Sequence, residues 1–461
     1  MTDELWRLPA HRLAEMIARR ETTSRAVVEA HLARIEAVNK RSNAITLVLT
    51  DSALAAADAA DATPGTGALH GVPFTIKENI DVFGTPTTQG VPYFAHAMPT
   101  RDAPVVQRMK SAGAIPIGRT NLPELASRLS TDNPLHGRTL NPWNPSLTAG
   151  GSSGGDAVAL ATGMTPFGLG NDICGSLRNP AYCCGVVSLK PTAGRIPHFI
   201  SIPPSDAGIA SQLMFVQGPM ARSIEDLRIG LKVLSGRDIC DPVSVDALLQ
   251  GTQPTLRRAA LVTAVPGKAL PASTVAAVRE AGAVLSAAGW QVDEVQAPDI
   301  ELINELWGRL LSADFLPALT MLAPAVSPPV YDLLSRLCHR FAELPPLHED
   351  VHTIRHRILR GWSQLFADYP VLVGPVWAEL PWPADADLEP STGLDLMLST
   401  ARFITPANVL GLPAVALTTG MADGLPKGVQ VYADLWREDL CLEAAAVIER
   451  GTTRVTPTDP A

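Results

Sequence analysis

The chain has 461 residues, enough for two or three average domains or one large α/β unit. A hydrophobic fraction of 46% supports a sizeable core, and the 18% of charged residues argues against a disordered or fibrous chain. The formal net charge is -9 with no long basic stretch, which argues against broad nucleic-acid binding, and the six cysteines form neither a C-x-x-C pair nor a metal-ligand spacing. Residues 1–6 show no basic segment followed by an apolar one, and no apolar run approaches the length of a membrane span. The expectation is a soluble cytoplasmic protein with buried, reduced cysteines.

In chain order, Leu8, Leu13 and Ile17, then Val27, Val28, Leu32, Ile35 and Val38, recur at helical spacing. Thr22-Thr23-Ser24 lies between the two patterns and can cap the second helix. Residues 52–62 are Ala-rich and helical, with Gly65-Thr66-Gly67 as the break. A strand over 72–76 leads directly into Lys77. A helix over 102–113 and a short strand over 115–118 follow. Residues 141–155 form a loop rich in Pro, Gly and Ser, then a small-residue helix spans 156–163. Pro203-Pro204 marks a further loop, and 223–234 a further helix. Strand-like 259–265, helical 273–288 and strand-like 291–295 predict a parallel β-α-β unit. Residues 301–370 are uneven in texture, with Trp307, Phe315, Met321, Tyr331 and Phe341 among prolines, and suit a lid or substrate-specific part. Strands at 414–417 and 429–432, a helix at 439–449 and a loose polar tail at 451–461 complete the chain. The alternation of strands and helices predicts an α/β fold, read as a single domain over 1–461.

The run Gly150-Gly151-Ser152-Ser153-Gly154-Gly155 admits three local readings. It could be a flexible linker, but it is short and embedded between apolar segments. It could be a phosphate-cradling nest, but no G-K-[ST] follows. It also fits G-x-S-x-G, the nucleophile elbow of α/β-hydrolase esterases, with Ser152 as nucleophile. That elbow needs a strand before the serine, and Pro142 and Pro145 make a poor one.

A second serine, Ser176, follows in Leu169-Gly170-Asn171-Asp172-Ile173-Cys174-Gly175-Ser176-Leu177-Arg178-Asn179-Pro180-Ala181. The stretch from 150 to 192 resembles the defining motif of the amidase signature family nearly throughout. Gly71-Val72-Pro73-Phe74-Thr75-Ile76-Lys77-Glu78-Asn79 resembles that family's lysine motif, and the spacing from Lys77 through Ser152 to Ser176 also agrees. Weaker resemblance covers 217–223, 408–415 and 424–431.

The resemblance implies a mixed central β-sheet surrounded by helices, and hydrolysis of a carboxamide C–N bond through an acyl-Ser176 intermediate. Ser176 is then the nucleophile, Ser152 the proton relay and Lys77 the base, with a cis peptide bond between Gly151 and Ser152. Backbone N–H groups of Ile173, Cys174, Gly175 and Ser176 are the implied oxyanion hole. Asp172 and Arg178 buttress the loop, and Ser153 supports it. An ordinary surface salt bridge is the plain alternative for Asp172 and Arg178. To act as base, Lys77 must be neutral, and free lysine titrates near ~10.4. A fall of ~3 units costs the charged form about 4 kcal/mol, which burial away from carboxylates supplies. Glu78 points the other way along an extended chain and need not pair with Lys77.

Two positions depart from the family pattern: Cys174 stands where glycine is usual, and Asn171 where threonine is usual. Cys174 either narrows the pocket or is a bystander. His348-Glu349-Asp350-Val351-His352 matches H-E-x-x-H, with His356 extending the stripe, but a helix start after Pro345-Pro346 is the plainer reading. No metal or organic cofactor is implied. The expected partner is a small-molecule amide, partly apolar, with Phe199, Ile200 and Ile202 as further lining candidates and esters as further substrates. No nucleic-acid or membrane partner is expected, and homo-oligomerisation stays open. Within the resemblance, an amidotransferase subunit that releases ammonia within a complex is the alternative role.

Overall fold

The computed structural model describes residues 2–63, 65, 67–202 and 206–461. Its centre is an eleven-stranded sheet in the order β1-β3-β2-β4-β6-β5-β10-β11-β9-β7-β8. These are β1 (Ile45–Val48), β2 (Pro73–Lys77), β3 (Ile115–Thr120), β4 (Phe167–Asp172), β5 (Val187–Lys190) and β6 (Val216–Ala221). β7 (Arg258–Leu261), β8 (Gln291–Glu294), β9 (Val371–Pro375), β10 (Ala414–Ala422) and β11 (Leu425–Tyr432) follow. β2 is parallel to both β3 and β4, and β7 to both β8 and β9. Between these parallel groups the pairs β4–β6, β6–β5, β5–β10, β10–β11 and β11–β9 are antiparallel. The sheet is therefore mixed, with helices packed around it.

The parallel pairing within 258–295 follows from its crossover helix Ala272–Ala287. The strand there is shorter than the sequence suggests, because the chain turns at Val265–Lys268. The hairpin β10–β11 turns on Asp423 and Gly424, both at positive φ, as a tight right-twisting hairpin requires. Thr23 caps the helix Ser24–Ser42, its Oγ1 accepting from the Ala26 N–H at 3.1 Å.

In the central strands both faces of the sheet are buried, so side-chain alternation feeds two cores, while the edge strands β1 and β8 are largely exposed. Phe74 and Ile76 of β2 enter one core, with Phe167 and Leu169 of β4. The alternate residue Thr75 faces the helix Gly154–Ala161, whose Ala157 to Ala161 belong to the other core. That helix lies very close to the sheet. A Cβ on Gly155 would stand 2.4 Å from the Asn121 nitrogen and 2.7 Å from the Ala44 oxygen.

Residues 301–370 resolve into the helices Ile300–Phe315, Pro328–Ala342 and Val351–Asp368, which bury Trp307, Leu334 and Trp362. The tail, expected to be loose, lies pinned along the body. Thr458 N–H donates to Ala161 O at 2.8 Å, Ala461 N–H to Pro142 O at 2.9 Å, and Arg34 grips Asp459 at 2.7 Å. Backbone hydrogen bonds and an ion pair to distant residues overcome the weak local propensity of the segment. Pro203-Pro204 and Thr66 lie outside the described residues. Among the described residues, no helix is long and apolar enough to cross a membrane.

Replacing Gly155 with alanine should overpack this helix–sheet contact. The expected cost is about 1–3 kcal/mol, read from chemical denaturation of the purified protein.

Candidate active site

Lys77 ends β2, fully buried. Its Nζ lies 2.6 Å from Ser152 Oγ and 2.7 Å from Asn171 Oδ1. Among the described residues no carboxylate touches it. Burial pushes the amine down to about 7, against the opposing pull of Asp156 and Asp172. Asn171 in turn donates from Nδ2 to Asn79 Oδ1 at 2.8 Å. With Asn171 Oδ1 fixed as an acceptor, it takes one amine hydrogen, and the lone pair of a neutral amine is left for the Ser152 hydroxyl. Glu78 is engaged elsewhere, accepting from Thr46 Oγ1 at 3.0 Å and lying 3.0 Å from His136 Nε2.

Ser152 follows a cis Gly151–Ser152 peptide bond. The loop before it is clasped by Asn179, which accepts from the Gly151 N–H at 2.9 Å and donates to Gly151 O at 2.5 Å. Ser153 N–H donates to Ser176 O at 3.1 Å, and its Oγ to Asn171 O at 3.4 Å. Gly170 makes room for this stack, since a Cβ there would meet Ser153 Oγ at 2.7 Å.

Ser176 sits in the turn between β4 and the helix Arg178–Cys184, where that helix begins. The turn is shaped by Asp172. Its carboxylate accepts from the Gly175 N–H at 2.7 Å and the Leu177 N–H at 3.1 Å. Arg178 meets it through two bonds of 3.1 Å, and Asn408 Nδ2 adds a fourth partner at 2.8 Å. Arg178 also donates to Ile404 O, Gln430 Oε1 and Asn408 Oδ1. Burial disfavours the Asp172 carboxylate, but Arg178 and Asn408 outweigh it and hold the group down at about 2. Both partners are fully buried, so the surface-salt-bridge alternative does not apply.

The Gly175 N–H, one of the four donors expected for an oxyanion, is thus spent on Asp172. The N–H groups of Ile173, Cys174 and Ser176 have no protein partner among the described residues. Trp307 Nε1 donates to Ile173 O at 3.3 Å. Because C=O and N–H of one trans peptide point opposite ways, this contact turns the Cys174 N–H away from Trp307. The Cys174 thiol is driven well upward by burial, which makes it a poor nucleophile.

Ser176, Ile173 and Cys174 open on a cavity of about 580 Å³. Trp307, Leu311, Phe315, Leu337 and Met397 form an apolar wall, and Phe199 and Ile200 join from another segment. Neither basic side chain of the lining offers a free positive charge. Arg128 is held by Asp387 at 2.9 and 2.8 Å and by Asp385 at 2.9 Å, and burial pushes the His198 imidazole down to about 4.

Two alternatives raised by the sequence fall away. The segment before Ser152 runs through turns and two isolated bridges, Leu140–Thr148 and Leu147–Pro383, not a strand, so no nucleophile elbow forms there. His348 precedes the helix Val351–Asp368, Asp350 caps it, and Glu349 pairs with Arg357 at 2.6 Å. Among the described residues no cluster of three His, Cys, Asp or Glu side chains could hold a metal ion.

A family model described as Amidase matches residues 26–442. The chain belongs to the amidase signature family. It is similar to an indoleacetamide hydrolase from Bradyrhizobium diazoefficiens, with 39% identity over 96% of this chain and 86% of that protein. It is 33% identical to an acylamidase from Rhodococcus erythropolis, over 96% of this chain and 95% of that one. A solved 6-aminohexanoate cyclic dimer hydrolase complexed with substrate superposes with a TM-score of 0.81 at 27% identity, covering 97% of this chain and 98% of that one. This amidase signature protein is an amide hydrolase.

The residues that sequence reasoning left without a role are Asn79, Asp156 and Asn408; Trp307 was read only as part of the substrate-specific stretch, without its bond to Ile173 O. Asn79 and Asp156 lie inside or beside the quoted motifs, yet nothing in their local spacing marks them. Replacing Arg178 with methionine would leave Asp172 charged, buried and short of its main partner. The expected loss is about 3–5 kcal/mol of stability, measured by denaturant unfolding.

Proposed function

We propose that this amidase cleaves small, uncharged amides bearing an aryl or other apolar acyl group through an acyl-Ser176 intermediate. Ser176 Oγ attacks the carbonyl carbon while its proton passes through Ser152 to Lys77 Nζ. The developing oxyanion is received by the free N–H groups of Ile173, Cys174 and Ser176, donors of a kind each worth ~2.7–4 kcal/mol. The C–N bond then breaks as the proton returns through Ser152 to the leaving amine. Water attacks the acyl-serine by the same relay in reverse.

The observation that carries this reading is the 2.6 Å contact from an amine free of carboxylate contact to the Ser152 hydroxyl. Among the described residues no hydrogen bond joins Ser152 Oγ to Ser176 Oγ. That link closes when a carbonyl engages Ser176, a tightening common at catalytic hydrogen bonds. The apolar wall, with no free cation among the described lining residues, favours a neutral acyl group. The names of the indoleacetamide and acylamide relatives agree with such a substrate. The helices Ile300–Phe315 and Pro328–Ala342, within the stretch read as substrate-specific, supply much of that wall.

Ser176→Ala should lower kcat by about a thousandfold or more while leaving the unfolding midpoint in place. A fluorophosphonate should label Ser176 in the parent protein. Retention of the parental rate by the alanine variant would overturn the assignment. Since the base works only when deprotonated, kcat/KM should climb with pH along a limb centred near the Lys77 value of about 7. Aryl-acetamides should outpace their carboxylate-bearing analogues in kcat/KM.

Trp307 gives a separate test. Replacing its indole by the benzothiophene isostere keeps the shape and deletes the N–H. The expectation is a kcat reduced about tenfold with KM within about twofold, because the Cys174 amide loses its orientation only where the oxyanion forms.

A further inference from the structure

The helix Gly154–Ala161 starts two residues after Ser152, and Asp156 is its third residue. An aspartate in a first helical turn is usually an exposed partner of the helix dipole. Asp156 is instead fully buried against the sheet. Its Oδ1 accepts from Thr75 Oγ1 at 3.1 Å and its Oδ2 from Thr120 Oγ1 at 2.7 Å. Thr75 lies two residues before Lys77 on β2, hence on the same side of the strand. Thr120 stands directly opposite Lys77 in the β2–β3 register. The two hydroxyls therefore fix a carboxyl beneath the amine, close to it but not in contact.

The charges around this pair are few. The carboxylates that act on Lys77 are Asp156 and Asp172, and Asp172 is already matched by Arg178. The cations that act on Asp156 are Lys77 and Arg119. Arg119 spends its guanidinium on Ile80 O at 2.6 Å, on the Thr85 hydroxyl and on the carbonyls of Pro86 and Lys77. Among the described residues no basic side chain touches Asp156.

We propose that Asp156 is a positioning residue whose carboxylate is the counter-charge for the Lys77 ammonium formed during each acylation. The inference rests on Lys77 being the base of the reaction. Before attack, Lys77 is neutral and Asp156 carries the only uncompensated charge of the pair. As the Ser176 Oγ–C bond forms, the Ser176 proton moves to Ser152 and the Ser152 proton to Lys77 Nζ. The pair then holds an ammonium and a carboxylate, with no proton leaving Asp156. When the C–N bond breaks, the ammonium returns its proton through Ser152 to the departing amine. In a buried site a fixed opposite charge stabilises the transient cation far more than it would in water. Keeping the two groups apart avoids a contact ion pair that would hold Lys77 permanently protonated. Burial pushes the Asp156 carboxyl up to about 7, so its charge is present above neutrality, where the base works.

The test is the pH profile of Asp156→Asn, which keeps the shape and can still bond both threonines. Without the carboxylate, the Lys77 ammonium is less favoured and its pKa falls. The acid limb of kcat/KM should move down by about 1 pH unit, as expected for removal of one nearby opposite charge. The plateau kcat should fall by up to about tenfold, because the base is weaker. A purely structural role would lower the rate without moving the limb, and an unmoved limb overturns the proposal. Thr120→Val covers the case in which the asparagine variant does not fold. It strips one donor from the carboxylate, so the limb should shift the same way by less, and an unmoved limb in that variant again overturns the proposal. Where both variants fold, Thr120→Val should add no further shift in the Asp156→Asn background. Lys77→Met separates the two readings. An inactive methionine variant beside an unshifted Asp156→Asn profile removes the counter-charge alone, whereas an active one removes Lys77 as base.

Discussion

The site depends on an amine kept out of water without a carboxylate in contact. Burial alone would expel a charged lysine or neutralise it, and a salt bridge would fix it in the charged form. The structure takes the middle course. Lys77 is fully enclosed, its contacts are a hydroxyl and an amide oxygen, and the carboxylates that act on it stand off. Each neighbour serves this condition. Asn171 and Asn79 satisfy the amine without charging it, Glu78 turns to Thr46 and His136, and Asp172 is matched by Arg178.

The turn at Ser176 meets a second condition, since among the described residues the Ile173, Cys174 and Ser176 amides stay free while the turn itself stays rigid. Asp172 resolves this by taking the Gly175 and Leu177 amides, those beside the ones left open. Such a carboxylate survives burial only because Arg178 meets it in a two-bond fork and Asn408 adds a further donor. Arg178 in turn ties the turn to β11 through Gln430 and to the segment carrying Ile404 and Asn408. Chain segments more than 200 residues apart are thereby locked to one loop.

Much of this was legible before any coordinates, but from different sources. The parallel unit at 258–295 showed in residue patterning alone, because a helix of small residues separates a short apolar run from a short strand-like segment. Lys77, Ser152 and Ser176 were legible only through family resemblance, since the glycine-serine run by itself fits a linker, a nest or an elbow. Strands β4 and β6 escaped local reading. Their glycines, and Pro219 within β6, lower strand propensity, yet both are central. Tertiary packing decides there: Gly170 admits Ser153, and pairing with β5 covers only Met220 and Ala221, leaving Pro219 beyond it. Asp156, and the bond of Trp307 to Ile173, were silent because their partners lie far along the chain. The loose reading of 451–461 failed for the same reason, its anchors being Arg34, Pro142 and Ala161.

Substrate wall and reaction centre meet in one side chain. Trp307 presents its ring to the cavity and its N–H to the Ile173 carbonyl, so the helix Ile300–Phe315 bears on the amide geometry beside Ser176. A cysteine at position 174 leaves this peptide link intact, because orientation is imposed through main-chain atoms and the thiol is kept protonated by burial. In the proposed mechanism an acyl group pressing on the Trp307 face therefore acts on the same side chain that orients the Cys174 amide. On that proposal binding at the wall and stabilisation at the carbonyl are mechanically joined, and energy from the remote apolar part of the substrate is expressed in the transition state.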